Sequence, residues 1–239
     1  MFSFFFRKRR PARPLPTDMH SHLLPGVDDG VKTIEESFRV IDQLLELGYQ
    51  KIITTPHIMS DYYGNTSASI LNAYENFLPV LREHGYTFQF YCAAEYYLDE
   101  NFYELVRKKE KLLTFGDRYV LFETNAVSEP LQLKEFVFAM TSQGYKPILA
   151  HPERYQYMTL DKADDLRCRG VLLQVNLLSL TGYYGPPMQK LAEKLIDRGW
   201  VDLLGSDCHN LEQISWLRKV QQTNIYLKAT DLPLLNYSL

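Results

Sequence analysis

Two histidines one residue apart, His20 and His22, stand in the stretch TDMHSHLLPGVDDG, and the turn after them holds Asp28 and Asp29. In extended backbone the side chains at i and i+2 share a face, so both imidazoles can grip one metal ion. An isolated His-x-His is more often a pair of surface histidines, so the reading depends on what else the chain brings to it. Further donors recur along the sequence: His57 in TTPH, Glu95 in CAAE, Glu123 in LFET, His151 in ILAHPER, Asn176 in LQVN, and Asp207 with His209 in GSDCH. Imidazole and carboxylate without thiolate suit Zn, Mn or Fe, and affinity alone does not separate these ions. A carboxylate in the middle of the set, such as Glu95, can bridge two cations and reduce their mutual repulsion. Cys208 alternates with Asp207 and His209, so it is expected to face away from them as an inert buried thiol.

Each of these donors closes a short β-branched or aromatic run. LPTDMH, KIITTP, TFQFYCAAE, RYVLFET, KPILAHP, VLLQVN and VDLLGSD read as seven strands. Between the first two, Thr33 and Glu36 make a capping box, Ile34, Phe38, Ile41 and Leu45 recur at helical spacing, and Gly48 supplies the stop. Segments 66–84, 99–111, 130–143, 160–169, 187–198 and 211–222 repeat the helical pattern. Strand-helix alternation of this length implies parallel strands joined by crossover helices. The expected fold is α/β, a TIM-like barrel of seven units in a single domain, with an open doubly wound sheet as the alternative. The loops of such a barrel converge at the carboxyl ends of its strands. Five of the six histidines fall there, and only His84, in the last turn of a helix, does not. That coincidence makes a metal site the expectation.

At 239 residues, 46% apolar and 23% charged, the chain has the composition of one ordinary globular domain. Its net charge of -3 gives no broad positive field, which argues against nucleic acid as the main partner. Cys92, Cys168 and Cys208 are an odd count without paired spacing, which points to a reduced compartment and so the cytoplasm. No apolar run approaches the ~20 residues needed to span a bilayer. Residues 1–16 form an aromatic and basic extension ahead of a domain expected over 17–239. Its phenylalanines precede Arg7, Lys8, Arg9 and Arg10, the reverse of an export signal. Two readings stay open: a solvated tail, or residues 2–10 resting on an anionic membrane surface.

The runs DMHSHLLPGVDDG, TTPH, AAE, LFE, LAHPER and GSDCH, in this order and at these separations, resemble the polymerase and histidinol phosphatase (PHP) superfamily. Within it they are most similar to the bacterial PHP-type protein-tyrosine phosphatases encoded with capsule and exopolysaccharide genes. The resemblance spans about residues 17 to 222. It implies a distorted TIM-like (β/α)7 barrel with three divalent ions, manganese foremost, with iron or zinc as alternatives. It implies that His20, His22, Glu95 and Asp207 hold the first ion. Glu95 would bridge to a second held by Glu123 and His151, and Asp29, His57 and His209 would hold a third. Asp18 would orient a ligand imidazole. Arg154 resembles the phosphate-binding arginine, and Arg154, Asp207 and His209 form the implied catalytic group. The family often has an Arg five residues after the last His; here that position is Ile214, with Arg218 four further on, which leaves a second phosphate contact in question. The implied substrate is phosphotyrosine on a membrane-associated bacterial tyrosine kinase, which would bring the protein to the inner face of the membrane. The oligomeric state is left open, a homo-oligomer included.

Hydrolysis of such an ester needs neutralised phosphoryl oxygens, an in-line nucleophile and help for the leaving oxygen. Water on two cations ionises near neutral pH, and Arg154 supplies a forked donor that Lys cannot match. A phenolate, with pKa near ~10, leaves more readily than an alkoxide. Its proton comes from a metal-bound water or from a nearby His or Asp. Thiol-class tyrosine phosphatases hold an Arg six positions after the Cys, whereas Leu98, Gln174 and Ile214 follow Cys92, Cys168 and Cys208 at that spacing. Tyr183 and Tyr184, in the loop after the sixth strand, are candidate substrate contacts that also have packing as an ordinary role. Two rival functions remain: a PHP-type phosphatase for a small phosphomonoester such as histidinol phosphate, and a non-catalytic metal-stabilised scaffold. Metal-dependent amidohydrolases also begin with His-x-His, but usually place a carbamylated Lys where this chain has Glu123.

Overall fold

Strand and helix alternate along residues 14–239, which the computed structural model describes; residues 2–10, with both readings of that segment, solvated tail and membrane contact, lie outside the described residues. The strands are β1 (Thr17–Asp18), β2 (Lys51–Thr54), β3 (His57–Ile58), β4 (Gln89–Cys92), β5 (Glu95–Tyr97), β6 (Tyr119–Glu123), β7 (Lys146–Ala150), β8 (Leu172–Asn176) and β9 (Leu203–Gly205). The helices are α1 (Ile34–Glu46), α2 (Ser67–Glu83), α3 (Glu100–Arg107), α4 (Leu133–Ser142), α5 (Leu160–Cys168), α6 (Pro186–Asp197), α7 (Leu211–Val220) and α8 (Asn224–Thr230). Every pairing between these strands is parallel, in the orders β1-β2-β4 and β3-β5-β6-β7-β8-β9.

The two sheets are one distorted barrel. The second and third expected strands each break in two, β2 from β3 at Thr55-Pro56 and β4 from β5 at Ala93-Ala94. Proline has no N–H to give the ladder, so the strand bends there. The ladder is handed across the bend by Ala93 N to Thr54 O at 2.9 Å and Glu95 N to Pro56 O at 3.1 Å. His57 and Glu95 therefore open β3 and β5; the expectation that each follows or closes an unbroken strand is corrected. Closure on the other side runs through a parallel bridge between Ser21 and Cys208. Asp207 N donates to His20 O at 2.7 Å and His22 N to Cys208 O at 2.9 Å. His20 and His22 lie beyond the two-residue β1, and this bridge keeps their backbone extended.

Alternation sorts the core into two layers. Ile53, Leu121, Ile148 and Leu203 pack in one cluster with Met19, while Ile52, Val120, Phe122, Leu149 and Leu204 pack in the larger cluster that includes the helices' buried faces. In α1, Thr33 caps Glu36 N at 3.2 Å as expected, but the Glu36 carboxylate reaches Lys32 N at 2.8 Å, one residue short of the expected reciprocal bond. α8 was not anticipated; Thr223 caps it and stops α7 early. No helix of the described residues is long and apolar enough to cross a membrane.

Two glycines set how closely the backbone approaches the histidines. A Cβ on Gly30 would lie 2.2 Å from the His22 carbonyl oxygen, and one on Gly205 would lie 2.7 Å from the His20 Cβ. Only glycine lets the DDG turn fold back on His22 and β9 sit against His20.

Candidate metal centre and active site

Two buried groups fix the imidazoles from behind. His20 Nδ1 is 2.9 Å from Gln174 Oε1, and His22 Nδ1 is 2.7 Å from Asp28 Oδ2. Those acceptors place the ring proton on Nδ1 and leave each Nε2 lone pair facing inward. His20 Nε2 then lies 3.2 Å from Glu95 Oε2 and 3.3 Å from Asp207 Oδ1; His22 Nε2 lies 3.5 and 3.3 Å from the same oxygens. His20, His22, Glu95 and Asp207 are all buried, with donor atoms within 4.8 Å of one another.

Two more groups adjoin this one. His57 Nδ1 is 3.3 Å from both Glu95 Oε2 and Glu123 Oε1, and its Nε2 is 3.4 Å from Asp29 Oδ1. His209 Nε2 is also 3.4 Å from Asp29 Oδ1. His151 Nε2 lies 3.1 Å from Glu95 Oε1 and 3.8 Å from Glu123 Oε2. All nine expected ligands thus meet at one face. The tight groups differ from the implied partition in two respects: His57, where His151 was expected, closes with Glu95 and Glu123, and His22 joins Asp29, His57 and His209. His151 and Asp207 carry left-handed φ of 33° and 51°, uncommon outside glycine and concentrated at functional sites.

Carboxylates and imidazole lone pairs held this close in a buried space need cations or protons between them. Burial alone would push His20 down, but Glu95 and Asp207 more than offset it and lift its pKa to about 9. Against their own burial, the neighbouring histidines hold Glu95 and Asp207 well below the ordinary carboxylate range. The Nδ1 atom of His151 is buried without a hydrogen-bond partner, and that of His57 faces two carboxylate oxygens at 3.3 Å without hydrogen-bond geometry to either. Hard oxygen and borderline nitrogen donors brought together in this way fit divalent metal ions.

Arg154, in a short 3-10 turn at Pro152–Arg154, borders the same space. Its Nη1 donates to Asp207 Oδ2 at 2.8 Å, and its guanidinium lies 4.6 Å from the Tyr184 ring centroid. Asn176 Nδ2 donates to the same Asp207 oxygen at 2.8 Å and to the Tyr184 hydroxyl at 3.2 Å. Tyr183 instead packs edge-on against Trp216 at 5.4 Å. The cleft itself, about 350 Å³, is walled by Met59, Tyr62, Tyr63 and Tyr97 beside the histidines and carboxylates.

Asp18 does not orient an imidazole. Its carboxylate accepts from Ser206 N at 3.0 Å and Ser206 Oγ at 2.5 Å, joining β1 to the loop after β9. Asp28 and Gln174 do that orienting; in the sequence Asp28 is marked only as part of the turn, without a role, and Gln174 is given none. Gln174 was visible as the i−2 neighbour of Asn176, on the same face of one strand. Arg218 is bonded to Gln43 and Glu46 on α1, so it does not supply a second phosphate contact. Cys208 is fully buried in the core, as expected.

A family model described as capsular polysaccharide synthesis, CpsB/CapC, matches residues 16–226. The chain is 29% identical to the putative tyrosine-protein phosphatase CapC of Staphylococcus aureus, covering 89% of this chain and 84% of that one. It is 25% identical to the tyrosine-protein phosphatase YwqE of Bacillus subtilis (strain 168), over 82% and 78% of the two chains. In structure it superposes with TM-score 0.79 on a chain from the crystal structures of YwqE from Bacillus subtilis and CpsB from Streptococcus pneumoniae, described as unique metal-dependent tyrosine phosphatases. That alignment covers 93% of this chain and 94% of the other at 22% identity, a likeness of fold.

Proposed function

Since the chain belongs to the CpsB/CapC family of capsular polysaccharide synthesis, we propose that it is a metal-dependent protein-tyrosine phosphatase serving capsule or exopolysaccharide synthesis. One observation carries the reading: imidazoles and carboxylates from residue 20 to residue 209 converge in a single cleft beside Arg154. The ions are assigned as three, manganese foremost, held by His20, His22, Asp29, His57, Glu95, Glu123, His151, Asp207 and His209. The substrate is assigned as a tyrosine-phosphorylated protein, a membrane-associated bacterial tyrosine kinase being the partner that the family resemblance implies. A cytoplasmic location follows from that partner.

Bound divalent cations supply charge to neutralise phosphoryl oxygens and to ionise a water at neutral pH. Arg154, anchored on Asp207 and stacked on Tyr184, turns its remaining N–H groups to the phosphoryl oxygens. The Asp207 carboxyl stays ionised, because His20 and its other neighbours outweigh its burial, so it is no proton donor. His209 donates Nδ1–H to the Asp207 carbonyl at 2.8 Å, which turns its Nε2 toward Asp29. A water in the cleft is the proposed source of the proton for the departing phenolate.

Chelation is expected to abolish hydrolysis of a phosphotyrosyl peptide and added manganese to restore it, while Cys92→Ser and Cys168→Ser leave the rate within about twofold. Turnover that survives exhaustive metal removal, or preference for histidinol phosphate over the peptide, would overturn the assignment. Asp28→Asn keeps the shape but weakens the acceptor behind His22. We expect metal affinity to fall roughly 10- to 100-fold by titration, with the circular dichroism spectrum retained. An unaltered affinity would remove Asp28 from this role.

A further inference from the structure

The catalytic cleft has an aromatic wall that the metal centre does not require. It is built by the turn between β3 and α2. Tyr62 N and Tyr63 N donate to Met59 O at 3.3 and 2.9 Å. Ser60 N and Oγ both donate to Asp99 Oδ2, at 2.9 and 2.8 Å. Asn65 Nδ2 donates to His57 O at 2.9 Å and to Val27 O at 3.0 Å. The turn is thus tied to the segment after β5, to the DDG turn and to β3 itself.

At its tip Tyr62 is 78% exposed, yet it lines the cleft with Glu123, Arg154 and the histidines. Tyr63 lies behind it, stacked on the His57 ring at 5.5 Å and 10°, with 6.5 Å between the two tyrosine centroids. Tyr97, at the end of β5, extends the same wall. An exposed aromatic of this size forgoes a large apolar burial. Held on a tied-down turn it loses little conformational freedom when a partner covers it, and a flat aromatic partner suits it best.

We propose that Tyr62 is a specificity-determining residue that selects aryl phosphates over non-aromatic ones, its ring stacking on the phenyl ring of the phosphotyrosine while Tyr63 braces the turn. This rests on the phosphatase reading of the site. Steady-state kinetics on a phosphotyrosyl peptide and on acetyl phosphate, a non-aromatic phosphate with a good leaving group, test it in the manganese-loaded protein. Tyr62→Ala is expected to lower the ratio of kcat/KM for peptide over acetyl phosphate by about tenfold, chiefly through KM for the peptide. Tyr62→Phe is expected to keep the wild-type ratio. A ratio in Tyr62→Ala within twofold of wild type, or a loss in Tyr62→Phe equal to that in Tyr62→Ala, would overturn the stacking role while leaving the phosphatase reading intact. Wild-type protein inactive on both substrates would sink the reading of the site and this inference with it.

Discussion

Glu95→Gln is expected to cut phosphotyrosyl-peptide turnover by at least about 10³-fold and to strip metal from the protein, with the fold retained. Glu95 is fully buried, and its two oxygens face four histidines: His151 on one, His20, His22 and His57 on the other. A Gln of the same shape offers one weak oxygen ligand and one N–H donor aimed at nitrogen lone pairs, so it can neither bridge cations nor balance their charge. Metal ions contribute several kcal/mol of charge stabilisation in such reactions, and each 1.36 kcal/mol is tenfold in rate. The barrel does not close through this side chain: its ring is joined by the Ser21 to Cys208 bridge and by Asp18 on Ser206. Elemental analysis alongside kinetics and circular dichroism checks all three points. Full metal content with normal turnover would remove Glu95 from the centre of the mechanism.

Arg154→Ala is the second large effect. We expect kcat/KM to fall about 10²- to 10³-fold while metal content stays near that of the wild type. The guanidinium is already oriented, with Asp207 on one nitrogen and the Tyr184 ring beneath it, so little ordering remains when phosphate arrives. Arg154→Lys is expected to recover only a small part of the loss, because an ammonium cannot both stay on Asp207 and fork onto two phosphoryl oxygens. Arg218 offers no substitute, since it is engaged with α1. Loss of metal in Arg154→Ala would instead show that the arginine serves Asp207, and that the phosphate contact lies elsewhere.

Much of this was legible in the chain because the signals are local. Hydrophobic alternation and helical spacing repeat over a few residues, so α1 with its Thr33 cap and the parallel strand-helix order follow from short windows. Chain order then puts donors at strand ends, and a parallel barrel sends all such ends to one rim. The bends at Pro56 and at Ala93-Ala94 were harder. Pro56 marks its own bend, but the ladder's hand-over by Ala93 to Thr54 depends on a neighbouring strand.

By itself, then, the sequence determined the parallel barrel, the kinds of metal donor and the rim where they gather. Only the tertiary structure decided which donor faces which. Gln174 reaches His20 across 154 residues, Asp28 rather than Asp18 backs an imidazole, His57 closes on Glu95 and Glu123, and Tyr62 rather than Tyr183 borders the cleft. The physical reason is one of length scale. Periodicity tells on which side of its own element a residue lies, whereas a contact of about 3 Å depends on two elements, their register and both rotamers, which no short stretch of chain encodes.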